Sequence, residues 1–423
     1  MQDFTYQRTT LDNGLRILTS EMPSTRSVAA SIYVGAGSRY EADEMAGISH
    51  LLEHLLFKGT TRRPTAREIS EPIESVGGMI NASTDRELTV YYSKVARPHF
   101  DRAMDVLTDM VRNPLIEGEE LEKERKVVIE ELASVEDSPS QLVDIVLDEA
   151  MWPDQPLGRD VGGSAESVGA LTREQALAYL AAQYVPNNMV VAVAGAVTHE
   201  DVVGFIERAL GDWAPGTPNP WIPADDSRRA APVKLRSKKA EQAHLEIAVH
   251  GVSNRDPERF PIDLVSVILG EGMSSRLFQE LREKRALCYD VHSYASHYLD
   301  TGSFAVYAAV DPERAPEACE ALLEELEKVR AYGVTGDELG KAKDLSKGRL
   351  LLRLEDSRAV SGWLGGQEML NGSVRTPEDV VADIDAVTAD DVRRVAGRLL
   401  DRSRMTLALV GPFRSPRRFE RLL

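Results

Sequence analysis

An α+β fold built from two copies of one unit is what this sequence predicts, and three observations carry that reading. Short apolar runs alternate with longer stretches of helical periodicity, a proline-dense segment divides the chain nearly in half, and the halves repeat each other at a nearly constant spacing. The 423 residues exceed one ordinary core and suit two domains of about 200 residues. Apolar residues at 43% and charged residues at 28% belong to a globular chain and exclude a disordered or fibrous one.

The dividing segment, residues 214–232, holds Pro215, Pro218, Pro220, Pro223 and Pro232 with Gly216 and an Arg pair. Prolines at that density sustain neither a helix nor a central strand, so an extended linker is expected between domains at 1–213 and 233–423. Residues 170–195 open Ala-Leu-Thr-Arg-Glu-Gln and close Met-Val-Val-Ala-Val-Ala-Gly; residues 386–411 open Ala-Val-Thr-Ala-Asp-Asp and close Met-Thr-Leu-Ala-Leu-Val-Gly, an offset of 216. Thr172 and Thr388 stand where N-caps belong, with Gln175 and Asp391 three residues on, so each predicts a helix followed by an apolar strand. Gly118-Glu119-Glu120-Leu121 recurs as Gly336-Asp337-Glu338-Leu339, and Glu136-Asp137-Ser138 as Glu355-Asp356-Ser357. Strand-like runs fall at 27–34, 88–95 and 189–194, then at 245–249, 302–309 and 405–410.

The 50 Lys and Arg residues against 68 Asp and Glu give a net charge of −18, which excludes nucleic acid as a partner and favours cationic substrates. Two cysteines, Cys288 and Cys319, are too few for a disulfide framework and are expected to be reduced core residues. Met1-Gln2-Asp3-Phe4 lacks the basic start and apolar run of a signal peptide, and no run of about 18 apolar residues occurs. A cytoplasmic protein without membrane association is the expectation.

Between Glu44 and Phe57 the apolar positions Ile48, Leu51, Leu52, Leu55 and Leu56 follow the spacing of a core-facing helix. His50, Glu53, His54 and Phe57 cluster on the opposite side, Phe57 being placed to meet substrate. Two imidazoles one turn apart can reach one ion, and the non-ligating Glu53 stands beside them, an H-x-x-E-H arrangement. A catalytic site of this kind needs a third protein ligand and an open position. In the helical pattern from Glu119 to Leu132, with Leu121, Val127, Val128 and Leu132 on one side, Glu124 and Glu131 lie inside or beside the apolar arc while Glu130 points away. A carboxylate aimed at a core is costly without a cation, so Glu124 and Glu131 are the two that call for one.

These residues resemble the insulinase and pitrilysin family of inverted-motif zinc peptidases, most closely two-domain members similar to the mitochondrial processing peptidase β subunit. The family pattern is H-x-x-E-H, 76 residues, then Glu, and His54 and Glu131 are separated by 76 residues. The resemblance extends through Leu11-Asp12-Asn13-Gly14-Leu15, Gly77-Gly78-Met79-Ile80-Asn81-Ala82-Ser83-Thr84 and Gly272-Met273-Ser274-Ser275-Arg276-Leu277. It implies one Zn²⁺ per chain on His50, His54 and Glu131, Glu53 as the proton-handling base, and Glu124 as a supporting carboxylate. It implies an edge strand at Asn81 and Ala82 onto which an extended peptide adds. Arg282-Glu283-Lys284-Arg285-Ala286-Leu287-Cys288-Tyr289 resembles the family's Arg-x₆-Tyr pair, which implies that Arg282 and Tyr289 reach the substrate.

Two homologous α/β-roll domains forming half of a clamshell are the implied fold. With the repeat offsets extended, His50, Glu53 and His54 fall opposite Ser266, Leu269 and Gly270, and Glu131 opposite Arg349, so one metal per chain is expected. The expected function is a zinc metalloendopeptidase that cleaves peptides or unfolded segments by metal-activated water, as a homodimer. The competing reading is a non-catalytic assembly or binding subunit of the same fold.

Overall fold

The computed structural model describes residues 4–227 and 232–423; Met1 to Asp3 and the Arg pair of the linker lie outside the described residues. Two compact units emerge. The first draws on Met1–Leu132, Asp160–Ile222 and Leu351–Pro377, and the second on Ala133–Arg159, Pro223–Leu350 and Glu378–Leu423.

The first unit holds a mixed sheet of β1 (Gln7–Thr10), β2 (Arg16–Glu21), β3 (Ser27–Val34), β4 (Met79–Thr84), β5 (Thr89–Ala96) and β6 (Met189–Gly195), in the order β1-β2-β6-β3-β5-β4. Its centre, β6, is buried along its whole length, as a strand covered on both faces must be. Val191 and Val193 face one core with Ile17, Val28, Ala30 and Ile32, where the Ile48–Leu56 and Phe100–Arg112 helices pack. Val190, Ala192 and Ala194 face the other with Leu18 and Tyr33. That second face is covered by the Ser357–Asn371 helix through Val360 and Leu364.

The second unit's sheet comprises β7 (Val233–Ser237), β8 (Ala243–His250), β9 (Cys288–His297), β10 (Gly302–Val310) and β11 (Thr406–Gly411), in the order β7-β11-β8-β10-β9. This repeats β2-β6-β3-β5-β4 strand for strand. The pair β2 and β6 is parallel, as is β7 and β11, and every other neighbouring pair is antiparallel. The Arg259–Gly270 and Ala315–Tyr332 helices pack on one face, and the Pro139–Met151 helix covers the other through Leu142, Val143 and Val146.

The compact units therefore depart from the linear division at 1–213 and 233–423 in two segments. Residues 139–151 sit on the second sheet and 357–371 on the first. Apolar periodicity announces both helices but does not say which sheet each covers, because both sheets offer an equally apolar face. The linker, as far as residue 227, forms neither helix nor strand, and it passes from one unit to the other after Ile222.

The caps at the repeat stand as the sequence predicts. Thr172 accepts from Gln175 N and Thr388 from Asp391 N, each in a reciprocal capping box, ahead of the helices Arg173–Gln183 and Ala389–Leu399. Cys319 is buried, which pushes its thiol up to about 12. Cys288, expected in the core, is only half-buried near the start of edge strand β9. No helix among the described residues is long and apolar enough to cross a membrane.

Candidate metal centre

The helix that carries both imidazoles spans Ile48–Leu56, four residues shorter at its start than the pattern from Glu44 suggests. Gly47, at φ 93°, turns the chain into it. The five apolar positions read from the sequence are all buried, and His50, Glu53 and His54 project from the other side, half-buried. Phe57 lies half-buried against the first core, its ring centroid 6.4 Å from that of Tyr91.

Glu131 stands on the Gly118–Asp137 helix and brings Oε2 to 3.6 Å from Nε2 of His54 and 3.9 Å from Nε2 of His50. The three donor atoms lie within 4.8 Å of one another, and this is the cluster of that kind found among the described residues. A tetrahedral ion with bonds of about 2.0–2.1 Å needs donors about 3.4 Å apart, so small side-chain adjustments complete the set. Two imidazoles and a carboxylate with one position left open match the donor chemistry of a catalytic zinc site.

The route by which the sequence pointed to Glu131 is corrected by its exposure. Its side chain is 48% accessible and is not aimed at a core, and Val127, expected in the apolar arc, is exposed. Glu124 is the buried one. Its Oε2 lies 3.1 Å from Nδ1 of His54 and its Oε1 2.8 Å from Nζ of Lys58. A carboxylate only accepts, so His54 donates from Nδ1 and presents the Nε2 lone pair toward Glu131. Glu124 touches the imidazole and not the donor cluster, which makes it a positioning residue. Lys58 was missed in the sequence; it stands four residues beyond His54, in the bend that follows the helix.

Burial, with the neighbouring His54, lowers the pKa of His50 and so favours the neutral ring, the form in which an imidazole can ligate a metal. Two buried atoms here have no hydrogen-bond partner among the described residues: Nδ1 of His50 and Oε2 of Glu53. A buried carboxylate oxygen left unpaired is costly, so Oε2 of Glu53, like Nδ1 of His50, calls for a partner from outside the chain.

Asn81 and Ala82 lie on β4, which among the described residues pairs only with β5 and forms one edge of the first sheet. Ala82 is buried toward the core and Asn81 is exposed, its Oδ1 accepting from Ala82 N at 2.8 Å. In the second unit, Arg282 sits on a π-helical segment, Phe278–Lys284. Its guanidinium lies 4.7 Å from the Phe278 ring and 5.0 Å from that of Tyr289, whose side chain is exposed. The pair that the family resemblance implies is thus in direct contact.

The repeated helix, Arg259–Gly270, carries Ser266, Leu269 and Gly270 opposite His50, Glu53 and His54, and the positions of Ser266 and Gly270 leave no room for imidazoles. Ser293 Oγ donates to Ser266 O at 2.7 Å, and a Cβ at Gly270 would lie 2.2 Å from Ser293 N. Where the first unit turns imidazoles outward, the second closes its helix onto β9.

Comparison with known proteins agrees with this asymmetry. Residues 16–165 match the model of the insulinase family, peptidase family M16, and residues 170–346 match that of the peptidase M16 inactive domain. An uncharacterized zinc protease of Streptomyces coelicolor is 40% identical over 97% of this chain and 90% of its own length. An uncharacterized zinc protease of Bacillus subtilis is 34% identical over 96% of this chain and 98% of its own length. Among solved structures, a protease from Helicobacter pylori superposes with a TM-score of 0.91 at 23% identity, covering 97% of this chain and 100% of that one. A peptidase M16 inactive domain from Pseudomonas fluorescens gives 0.86 at 20%, covering 97% and 98%. At those identities the two structures share the fold. The sequence relatives go further, and with a donor cluster on the first unit and none on the repeated helix, this chain belongs to the insulinase family, peptidase family M16.

Proposed function

We propose that this chain is a zinc peptidase that hydrolyses peptides or unfolded polypeptide segments. The convergence of His50, His54 and Glu131 around one point, with the orphaned Glu53 carboxylate beside it, is the observation that carries the reading. His50 and His54 would hold the ion through Nε2 and Glu131 through Oε2. Bound there, zinc supplies Lewis acidity, acidifying water and polarising a carbonyl.

The chain's own groups do the rest. Oε2 of Glu53 accepts the proton of the attacking water as its oxygen bonds to the scissile carbonyl carbon. Glu53 then returns that proton to the amide nitrogen as the C–N bond breaks, so no covalent enzyme intermediate is required. Glu124 keeps His54 in the donor-ready tautomer, with Lys58 balancing its charge. The free edge of β4 at Asn81 and Ala82 offers main-chain hydrogen bonds to an extended peptide of almost any sequence. Arg282 and Tyr289 belong to the proposal as substrate contacts: Tyr289→Phe and Arg282→Ala would weaken turnover without lowering zinc content. The net charge of −18 supports a preference for cationic peptides, read as faster cleavage of basic than acidic quenched peptides at low salt. A homodimer is the proposed assembly, to be read by size-exclusion chromatography.

A chelator should abolish cleavage of a quenched peptide and one equivalent of zinc should restore it. A non-catalytic assembly subunit would give no cleavage in either state, and retention of a full donor set argues against that reading.

A further inference from the structure

We infer that Glu41 is the positioning residue of the metal helix, acting on His50 through the backbone as Glu124 acts on His54 through the ring. The inference rests on the proposed metal reading and extends it to a residue outside the H-x-x-E-H stretch.

The Ile48–Leu56 helix has nine residues, too short to hold its own ends in water, and His50 lies in its first turn. The N-cap is Gly47, which has no side chain to accept from the first amides. No capping side chain can be placed there. Gly47 has φ 93°, and a Cβ on it would stand 2.4 Å from Gly162 O and 2.9 Å from its carbonyl carbon. The cap is supplied instead from six residues upstream. Glu41 is fully buried, its Oε2 accepts from Gly47 N at 2.8 Å, and its Oε1 accepts from Ser49 N at 2.9 Å. A carboxylate at this end is also favoured by the helix dipole. Ser49 is held a second time, its Oγ 2.8 Å from the hydroxyl of Tyr179.

The two imidazoles differ in what holds them. His54 has Glu124 on Nδ1, whereas Nδ1 of His50 has no hydrogen-bond partner among the described residues, so the His50 ring depends on the turn that carries it. Glu41 fixes that turn. Loosening it should reach the metal through His50 while leaving the last turn, with His54 and Glu124, in place.

The test is zinc affinity of the full chain, measured by competition with a chromophoric chelator, for the parent, Glu41→Gln and Glu41→Ala. Losing a group that orients a ligand typically weakens metal binding about 10- to 100-fold. Glu41→Gln, which keeps one acceptor, should fall between the parent and Glu41→Ala. Amide hydrogen exchange of the metal-free proteins supplies the second readout: Gly47 to His50 should exchange faster in both variants, while 53–56 stays as in the parent. Arg276→Ala, which removes an ion pair with Glu338 in the second unit, is the control for a purely structural loss and should leave zinc affinity unchanged. If the parent binds zinc and Glu41→Gln binds it equally well with unaltered exchange, the inference fails alone. If the parent takes up no zinc, the metal reading fails and this inference with it.

Discussion

Gly365 lies where the ring of Tyr33 leaves no space for a side chain: a Cβ on Gly365 would stand 2.2 Å from Cε2 and 2.4 Å from Cδ2 of that ring. Tyr33 projects from β3, and the Ser357–Asn371 helix crosses it at this glycine. Gly365→Ala should therefore destabilise the first unit by about 1–3 kcal/mol through overpacking, despite a gain of about 1 kcal/mol in helix propensity. A denaturant midpoint that rises in the variant would contradict the contact.

The same helix is held by charge. Glu368, with a side chain 1% accessible, pairs with Arg8 at 2.9 Å and Arg16 at 3.5 Å, from β1 and β2. Removing one partner of a buried pair costs about 3–5 kcal/mol, and Arg8, 46% accessible, recovers part of that through solvation. Glu368→Ala should lose about 2 kcal/mol of stability, most of it through Arg16. Unchanged thermal unfolding would show that the pair contributes nothing.

His297 gives the second unit a pH dependence of definite sign. Burial alone would lower its pKa, but Asp263 on Nε2 at 3.0 Å and the Val252 carbonyl on Nδ1 at 2.8 Å outweigh burial and raise it. Both ring nitrogens then donate, so the charged form is the bound one. The stability it contributes is complete below the ordinary histidine pKa of about 6.5 and is lost as pH rises through the elevated folded value. His297→Gln should flatten the fall in melting temperature across that window; an identical pH profile for the two proteins would remove the histidine from the account.

Glu124→Gln leaves a buried side chain of the same shape that no longer enforces donation from His54 Nδ1. Zinc affinity should fall about 10- to 100-fold while the melting temperature of the metal-free protein changes little. Full affinity in this variant would make Glu124 a structural partner of Lys58 only.

What the sequence made legible follows from what periodicity can report. The six apolar runs are β3, β5, β6, β8, β10 and β11, all inner strands of the two sheets. The strands that gave no run are β1, β4, β7 and β9, which are edges, and β2, whose Arg-Ile-Leu-Thr-Ser-Glu mixes polar residues into an inner position. Edges need not be apolar, so composition hides them. At the site, His50, Glu53 and His54 could be read from one helix because the helix itself sets their spacing. Glu131 owed its place to the 76-residue spacing and not to burial, since its carboxylate proves exposed. Glu41 and Lys58 were invisible for a different reason: one caps by hydrogen bonds to backbone, the other makes an ion pair from the bend after the metal helix to Glu124, and neither contact leaves a periodic trace.

Glu53→Gln, assayed for zinc and for cleavage in the same preparation, tests the central claim most directly. The account predicts about one zinc per chain, as in the parent, with peptide hydrolysis reduced at least about 100-fold, because the metal donors are intact and the proton acceptor is gone. A variant that holds zinc and cleaves at the parental rate would contradict it.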